Sequence, residues 1–210
     1  MQTGQTGQTG IGLMCGTFDP PHIGHLILAQ MAFTQLEIDQ VLFLPVGDPT
    51  HKTTRTSAEH RLNMTQLAIA GNRAFRLDDT DAARPEPHYT ATLLPLIQRS
   101  YPKANLWLIM GGDSLNSFPD WYRPLEILSY CRLAVLNRPT VGKRPPSSPP
   151  LSTALSNQVD QLNGPSINLS STWIRKQLRQ PDQSTRLNQL QYLLPPNLMQ
   201  YIEEHQLYRK

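Results

Sequence analysis

The sequence predicts a doubly wound α/β fold, in which parallel strands form one sheet with helices on both faces. Short apolar runs alternate along the chain with longer segments of helical character, which is the pattern of βαβ units. The apolar runs are continuous, as expected for strands that are covered on both faces. Turns with glycine and polar residues follow several runs. Because ligands bind beyond the carboxyl ends of such strands, we expect these turns to converge on one cleft.

The first half of the chain contains three of the expected strands. Residues 11–15 are apolar, and residues 22–37 follow with enough apolar side chains for a buried helix. Gln40–Pro45 is a second apolar run. Residues 57–70 are predicted to be a helix because Ser57, a common N-cap residue, precedes apolar side chains at helical spacing. Phe75–Leu77 is a short third strand.

The second half continues the alternation and then changes character. The expected elements are a helix at 88–99, a strand at 105–110 that enters Gly111-Gly112-Asp113, a helix at 121–128 and a strand at 132–136. Residues 139–150 are rich in proline and are predicted to form a loop. A cluster of hydroxyl residues at 170–172 opens another helix, and one or two terminal helices are expected within 190–208.

Length and composition predict one domain. The chain has 210 residues, of which 39% are hydrophobic and 17% charged, enough for a core. We expect a flexible tail at residues 1–10, where Gln-Thr-Gly is repeated, and a single domain at 11–210 with a small helical part at 170–210. A net charge of +3 without a basic run argues against a nucleic-acid partner. No apolar run is long enough for a membrane span.

The two cysteines give little information about function. Cys15 and Cys131 lie in apolar segments and are expected to be buried thiols rather than a disulfide framework. A reducing, cytoplasmic location fits this usage.

The turn after the first strand carries the strongest chemical signal. Gly16 permits close approach of the backbone to a ligand, and His22 and His25 are spaced to share one helix face. That face lies at a helix N-terminus, where amide groups and the helix dipole attract anions. The turn is therefore predicted to hold phosphates with two imidazole donors. A capping role remains open, and a metal pair would need a third ligand that is not evident nearby. The chain lacks a Walker A loop and a Gly-x-Gly-x-x-Gly pattern.

Two motifs carry a family resemblance. Gly16-Thr17-Phe18-Asp19-Pro20-Pro21-His22-Ile23-Gly24-His25 resembles the His-x-Gly-His signature of the nucleotidyltransferase superfamily. Ser170-Ser171-Thr172-Trp173-Ile174-Arg175 resembles its second motif, Ser-Ser-Thr-x-Ile-Arg. The order of further landmarks is similar to that of the bacterial nicotinate-nucleotide adenylyltransferase family. These landmarks are His51-Lys52, Arg61, Met64, Tyr89-Thr90, Gly112-Asp113, Phe118, Trp121, Arg138-Pro139, Tyr201-Ile202 and Leu207-Tyr208.

The resemblance implies a Rossmann-like nucleotidyltransferase fold and adenylyl transfer from ATP to nicotinate mononucleotide in NAD biosynthesis. It implies that His22 and His25 contact the ATP phosphates, and that Arg175 with Ser171 and Thr172 holds the β- and γ-phosphates. The other residues implied on the ATP side are the backbone of Gly16, Thr17 and Phe18, the turn at Gly112 and Asp113 near adenine or ribose, and Arg138. Mg²⁺ is expected to bind mainly through ATP phosphates, without dedicated protein ligands.

The acceptor side is less strictly matched. The resemblance implies that Trp121 stacks on the pyridine ring, that Tyr89 and Thr90 contact its carboxylate, and that Lys52 binds the 5′-phosphate. Without the resemblance, Trp121 would be interpreted as a core residue and Lys52 as a solvated lysine. The sequence departs from the family pattern at Val46-Gly47, 49–52, 88–90 and 81–84.

Two other functions remain open at this point. One is a sibling adenylyltransferase acting mainly on nicotinamide mononucleotide, and the other is a non-catalytic nucleotide-binding module. A homo-oligomer is also left open.

Overall fold

The strands form the doubly wound sheet that the sequence predicts. A computed structural model describes residues 9–47, 56–84, 89–136, 157–165 and 167–209. Six parallel strands in this part of the chain are ordered β3-β2-β1-β4-β5-β6. The strands are β1 Gly10–Gly16, β2 Gln40–Pro45, β3 Phe75–Leu77, β4 Asn105–Gly111, β5 Cys131–Leu136 and β6 Val159–Leu162.

Helices cover both faces of this sheet and extend beyond it. A 3₁₀ turn at Phe118–Asp120 adds a short connection. The helices are α1 Ile23–Gln35, α2 Ala58–Ile69, α3 Thr90–Ser100, α4 Gly112–Ser117, α5 Pro124–Tyr130, α6 Ser171–Leu178, α7 Gln183–Leu190 and α8 Pro196–Glu204. Within the described residues, no helix combines the length and the apolar character needed to cross a membrane.

Alternating side chains of the strands enter two different cores, which explains the continuous apolar runs. In β2, Leu42 and Leu44 pack in the cluster that contains residues of α3 and α5. Val41 and Phe43 pack in the opposite cluster, with residues of α1. Both faces of the sheet are therefore buried, as the uninterrupted hydrophobicity predicts.

The C-terminal helices form a third cluster against α2. Met64 of α2 packs with Ile174 of α6, Leu190 of α7 and Leu198 of α8, all of which are fully buried. This packing positions the N-terminus of α6 near the carboxyl end of β1.

The site lies where the strand order reverses. The chain runs outward from β1 to β2 and β3, and then returns to pair β4 with the other side of β1. Such a switch point leaves a crevice at the carboxyl ends of the two central strands.

Several boundaries differ from the sequence prediction. The helix expected at 121–128 begins at Pro124, because Arg123 adopts a left-handed conformation with φ of 51° and proline occupies the first helical turn. Strand β6 was not predicted, since its Val-Asp-Gln-Leu sequence has only two apolar residues. Gly10, expected in the tail, begins β1. The loop expected at 139–150 lies outside the described residues, as do residues 1–8.

Candidate active site

A cleft of about 630 Å³ lies at the carboxyl ends of β1 and β4. The starts of α1 and α6 both line it, so the two motifs recognised in the sequence meet at one place. The predicted site residues in its lining are Gly16, Thr17, Phe18, His22, His25, Asp113, Trp121, Ser171, Thr172 and Arg175.

The two histidines are organised by the first turn of α1. Their rings are stacked, with centroids 3.8 Å apart. The backbone N–H of His22 donates to Nδ1 of His25 at 3.1 Å. Because Nδ1 accepts, the proton of the neutral His25 ring lies on Nε2, which makes Nε2 a hydrogen-bond donor.

Glycine leaves room for tight packing beside this pair. A Cβ atom at Gly24 would lie 3.0 Å from Nδ1 of His22, and one at Gly16 would lie 3.1 Å from the Phe18 ring. Phe18 itself has a φ of 50°, and its buried ring meets His25 edge-on at 5.1 Å. Small residues at 16 and 24 thus allow an aromatic ring and a histidine pair to pack in one tight turn.

Two hydrogen bonds join the second motif to the first, and two more order the second motif itself. Ser170 caps α6 by accepting from the backbone N–H of Trp173 at 3.2 Å. Ser171 Oγ donates to the Pro20 carbonyl at 2.8 Å, and Arg175 donates to the Asp19 carbonyl at 2.7 Å. A second nitrogen of Arg175 donates to Thr172 Oγ1 at 3.1 Å. A cationic fork and two helix N-termini therefore surround the same space.

The Asp19 carboxylate was not singled out in the sequence. It is 3% exposed and accepts hydrogen bonds from Thr56 Oγ1 and from the Tyr208 hydroxyl, the latter at 2.7 Å. The three residues are far apart along the chain, so no local pattern reveals the contact.

Arg61 was noted as a family landmark, without a role. Its guanidinium is almost fully buried and donates to the carbonyls of Thr17 at 3.2 Å and of Gly47 at 2.8 Å, and also to the carbonyl of Val46. It joins the loop after β1 to the loop after β2.

The far wall of the cleft comes from β4 and the turn that follows it. Gly111 is the N-cap of α4, and Asp113 lies in the first turn. Trp121, half-buried, packs on Phe118 with ring centroids 5.4 Å apart, and its Nε1 donates to Ser117 Oγ at 3.4 Å.

Other predicted residues do not line this cleft. Tyr89 is the N-cap of α3 and stacks on Tyr122 with centroids 4.4 Å apart, and Thr90 is the first residue of that helix. Gly112 is the first residue of α4, between two residues of the lining. Lys52 and Arg138 lie outside the described residues.

Neither cysteine has the chemistry of a nucleophile. Burial raises the pKa of the Cys15 thiol well above its usual range and that of Cys131 to about 12, so both thiols are protonated near neutral pH. Among the described residues, no group of three or more His, Cys, Asp or Glu side chains is arranged to hold a metal ion.

Comparison with known proteins defines the class first. The cytidylyltransferase-like family model matches residues 13–177, a span that begins in β1 and ends in α6. The chain therefore belongs to the cytidylyltransferase-like family, and the expected enzyme class, a nucleotidyltransferase, is confirmed.

Similar sequences identify one family within that class. A probable nicotinate-nucleotide adenylyltransferase of Oceanobacillus iheyensis is 37% identical, covering 94% of this chain and 96% of the relative. One from a Synechococcus species is 36% identical, covering 96% and 95%. The expected membership of the nicotinate-nucleotide adenylyltransferase family is confirmed by these full-length matches.

Solved structures confirm the fold. The nicotinic acid mononucleotide adenylyltransferase of Plasmodium falciparum, complexed with NaAD, superposes with a TM-score of 0.77 at 19% identity, covering 96% of this chain and 98% of that one. The sheet order and the helices on both faces are thus those of a nucleotidyltransferase fold.

Proposed function

We propose that this protein transfers the adenylyl group of ATP to nicotinate mononucleotide, releasing pyrophosphate and forming nicotinate adenine dinucleotide. The observation that carries the proposal is the meeting of the α1 and α6 N-termini, with His22, His25 and Arg175, at one cleft. Relatives of this chain over nearly its full length bear the name of that activity.

The ATP side supplies charge rather than covalent chemistry. In adenylyl transfer the acceptor phosphate attacks the α-phosphorus in line, and negative charge grows on oxygens that positioned donors can stabilise. His25 offers an Nε2 donor for the α-phosphate, because its Nδ1 already accepts from the His22 backbone. Arg175, Ser171 and Thr172 bind the β- and γ-phosphates, since a guanidinium fork and helix amides suit phosphate oxygens.

The nucleoside is assigned to the turn after β4, and the magnesium ion to the phosphates of ATP. The turn at Gly112 and Asp113 receives the ribose or adenine, and the family resemblance gives Arg138 a role in binding the same nucleotide. ATP enters as its magnesium complex, in which the ion keeps water and phosphate oxygens as its main ligands.

The acceptor side favours the acid over the amide. The first turn of α3 begins at Tyr89, outside the cleft lining, without a side-chain cap. A pyridine carboxylate that extends beyond that lining would meet amide groups and a helix dipole at the Thr90 end of α3. Trp121 stacks on the pyridine ring, and Lys52 binds the 5′-phosphate. A neutral carboxamide would gain less from the same helix end. The two cysteines are free thiols, which fits a reducing cytoplasm.

Pyrophosphate release measures this function directly. We expect magnesium-dependent release from ATP with nicotinate mononucleotide, and slower release with nicotinamide mononucleotide at equal concentration. Faster turnover of the amide would reassign the acceptor. Binding of ATP without turnover of either acceptor would instead support a non-catalytic nucleotide-binding module.

A further inference from the structure

Asp19, a residue of the cleft lining between the two helix starts, carries a buried carboxylate. Asp19 is 3% exposed, and burying a carboxylate is costly unless hydrogen bonds replace its water shell. Two hydroxyls provide them. Thr56 belongs to the segment that leads into α2, and Tyr208 belongs to the turn after α8.

The main chain of the same residue holds the phosphate-binding machinery. The Asp19 carbonyl accepts from Arg175 at 2.7 Å, and the next carbonyl, that of Pro20, accepts from Ser171 at 2.8 Å. The two polar groups of Asp19 therefore contact different parts of the chain. Its carboxylate bonds to Tyr208 in the C-terminal turn, and its carbonyl bonds to Arg175 of the second motif. A shift of Asp19 would move the anchor of Arg175.

The Tyr208 hydroxyl remains a hydrogen-bond donor over a wide pH range. Tyr208 is 7% exposed, and the ion pair between Arg209 and Glu203 ties the following residue back to α8. Burial, and then the charge of Asp19, raise the pKa of Tyr208 far above its usual range. Its hydroxyl therefore keeps its proton throughout the pH range of an enzyme assay.

We propose that Tyr208 and Thr56 are positioning residues for ATP. They hold the Asp19 carboxylate so that the Asp19 carbonyl presents Arg175 to the triphosphate. A carboxylate that lost a hydroxyl partner would compete with the triphosphate for the nearby guanidinium. The inference rests on the proposed function only in taking ATP as the ligand of Arg175.

The test is the substitution Tyr208→Phe, with Tyr192→Phe as its matched control because Tyr192 is 80% exposed. We expect Tyr208→Phe to raise the KM for ATP and the Kd for ATP on the order of tenfold, the effect of one hydrogen bond to a charged group. The KM for nicotinate mononucleotide stays within about twofold, because loss of one such bond acts locally. Tyr192→Phe matches the wild type.

A mutant cycle separates positioning from general destabilisation. In an Asp19→Ala background, Tyr208→Phe should add less than about twofold, because its partner is already gone. Thr56→Val should reproduce the selective loss of ATP affinity, and it carries the test if Tyr208→Phe does not fold. Equal changes in both KM values, or full additivity in the cycle, would overturn the proposal.

Calorimetry with ATP alone keeps this test separate from that of the proposed function. If the wild type binds ATP but turns over neither acceptor, the proposed function fails while the effect on the Kd for ATP still decides the positioning role. If the wild type does not bind ATP, the positioning role is overturned as well.

Discussion

The two sides of the cleft are built in different ways. On the ATP side, two contiguous motifs begin two helices, and side chains of one bond directly to the main chain of the other. On the acceptor side, Trp121 and the start of α3 come from separate elements, and Tyr89 stacks on Tyr122 rather than lining the cleft. Under the proposed function, triphosphate binding would depend on fixed helix ends, whereas acceptor recognition would depend on how several loops pack together.

Loss of His25, on the ATP side, should have the largest effect on turnover. We expect His25→Ala to lower kcat by about 10²–10³, the cost of removing one donor that acts on charge in the transition state. ATP affinity should change little, because the proposed function assigns the β- and γ-phosphates to Arg175 and α6. Stopped-flow measurement of pyrophosphate release and calorimetry with ATP check the two parts.

His205→Ala is the matched control, since His205 is exposed at the end of α8. It should behave as the wild type. Unchanged turnover in His25→Ala would remove this residue from the mechanism.

Arg175→Lys should have the next largest effect. Lysine keeps the charge but loses the fork that bonds Asp19 and Thr172 at once. The KM for ATP should rise roughly 10- to 100-fold, the range for hydrogen bonds to a charged group. Lys176→Met, on the exposed face of the same helix, should leave it unchanged, and a similar rise in both variants would indicate a general charge effect.

Arg61 joins the two sides, and its loss should affect both. Arg61→Met leaves the carbonyls of Thr17, Val46 and Gly47 without this donor. We expect a loss of about 2–4 kcal/mol in the free energy of unfolding. Both KM values should rise, which steady-state kinetics on the folded fraction would measure. A change confined to the ATP side would show that Arg61 does not couple the loops.

Trp121 should affect only the acceptor side. Trp121→Ala removes the stacking face, so the KM for nicotinate mononucleotide should rise about tenfold while the KM for ATP is maintained. Trp121→Phe keeps an aromatic face and should restore part of the affinity. No change in the acceptor KM would mean that Trp121 serves packing against Phe118 alone.

The smallest effect is expected at the edge strand β6, where Asp160 lies outside the cleft lining. Hydrogen bonds from Arg132 and Trp107 lower the pKa of Asp160 below its usual range. A lowered folded-state pKa stabilises the fold above the unfolded-state pKa, and this contribution disappears as the pH falls through the folded-state value. Asp160→Asn should therefore cost about 1 kcal/mol or less near neutral pH.

Urea unfolding at neutral pH and at low pH measures that difference, which should shrink at the lower pH. Turnover should stay at the wild-type value. A large kinetic effect of Asp160→Asn would show that the sheet edge is coupled to the cleft.

Local signals account for what the sequence predicted well. Strands buried on both faces have uninterrupted apolar runs, and the order of strands and helices then defines the sheet class. The two turns could be singled out because His22 and His25, and likewise Ser171 and Arg175, are close in sequence at helix starts, and the structure brings both turns to one cleft.

The remaining features depend on tertiary contacts. The hydrogen bond between Asp19 and Tyr208 joins residues separated by 189 positions, and the three carbonyls that Arg61 bonds come from two loops. Strand β6 is stabilised by pairing with β5 and by the bond of Asp160 to Trp107, not by its own propensity. Trp121 precedes its helix rather than lying within it, because Pro124 defines the helix start.

A structure of the protein with a non-hydrolysable ATP analogue and Mg²⁺ would test the central claim most directly. The account predicts one triphosphate chain that contacts His22 and His25 at the start of α1 and Ser171, Thr172 and Arg175 at the start of α6. A triphosphate bound by only one of these helix ends, with the other facing solvent, would contradict it.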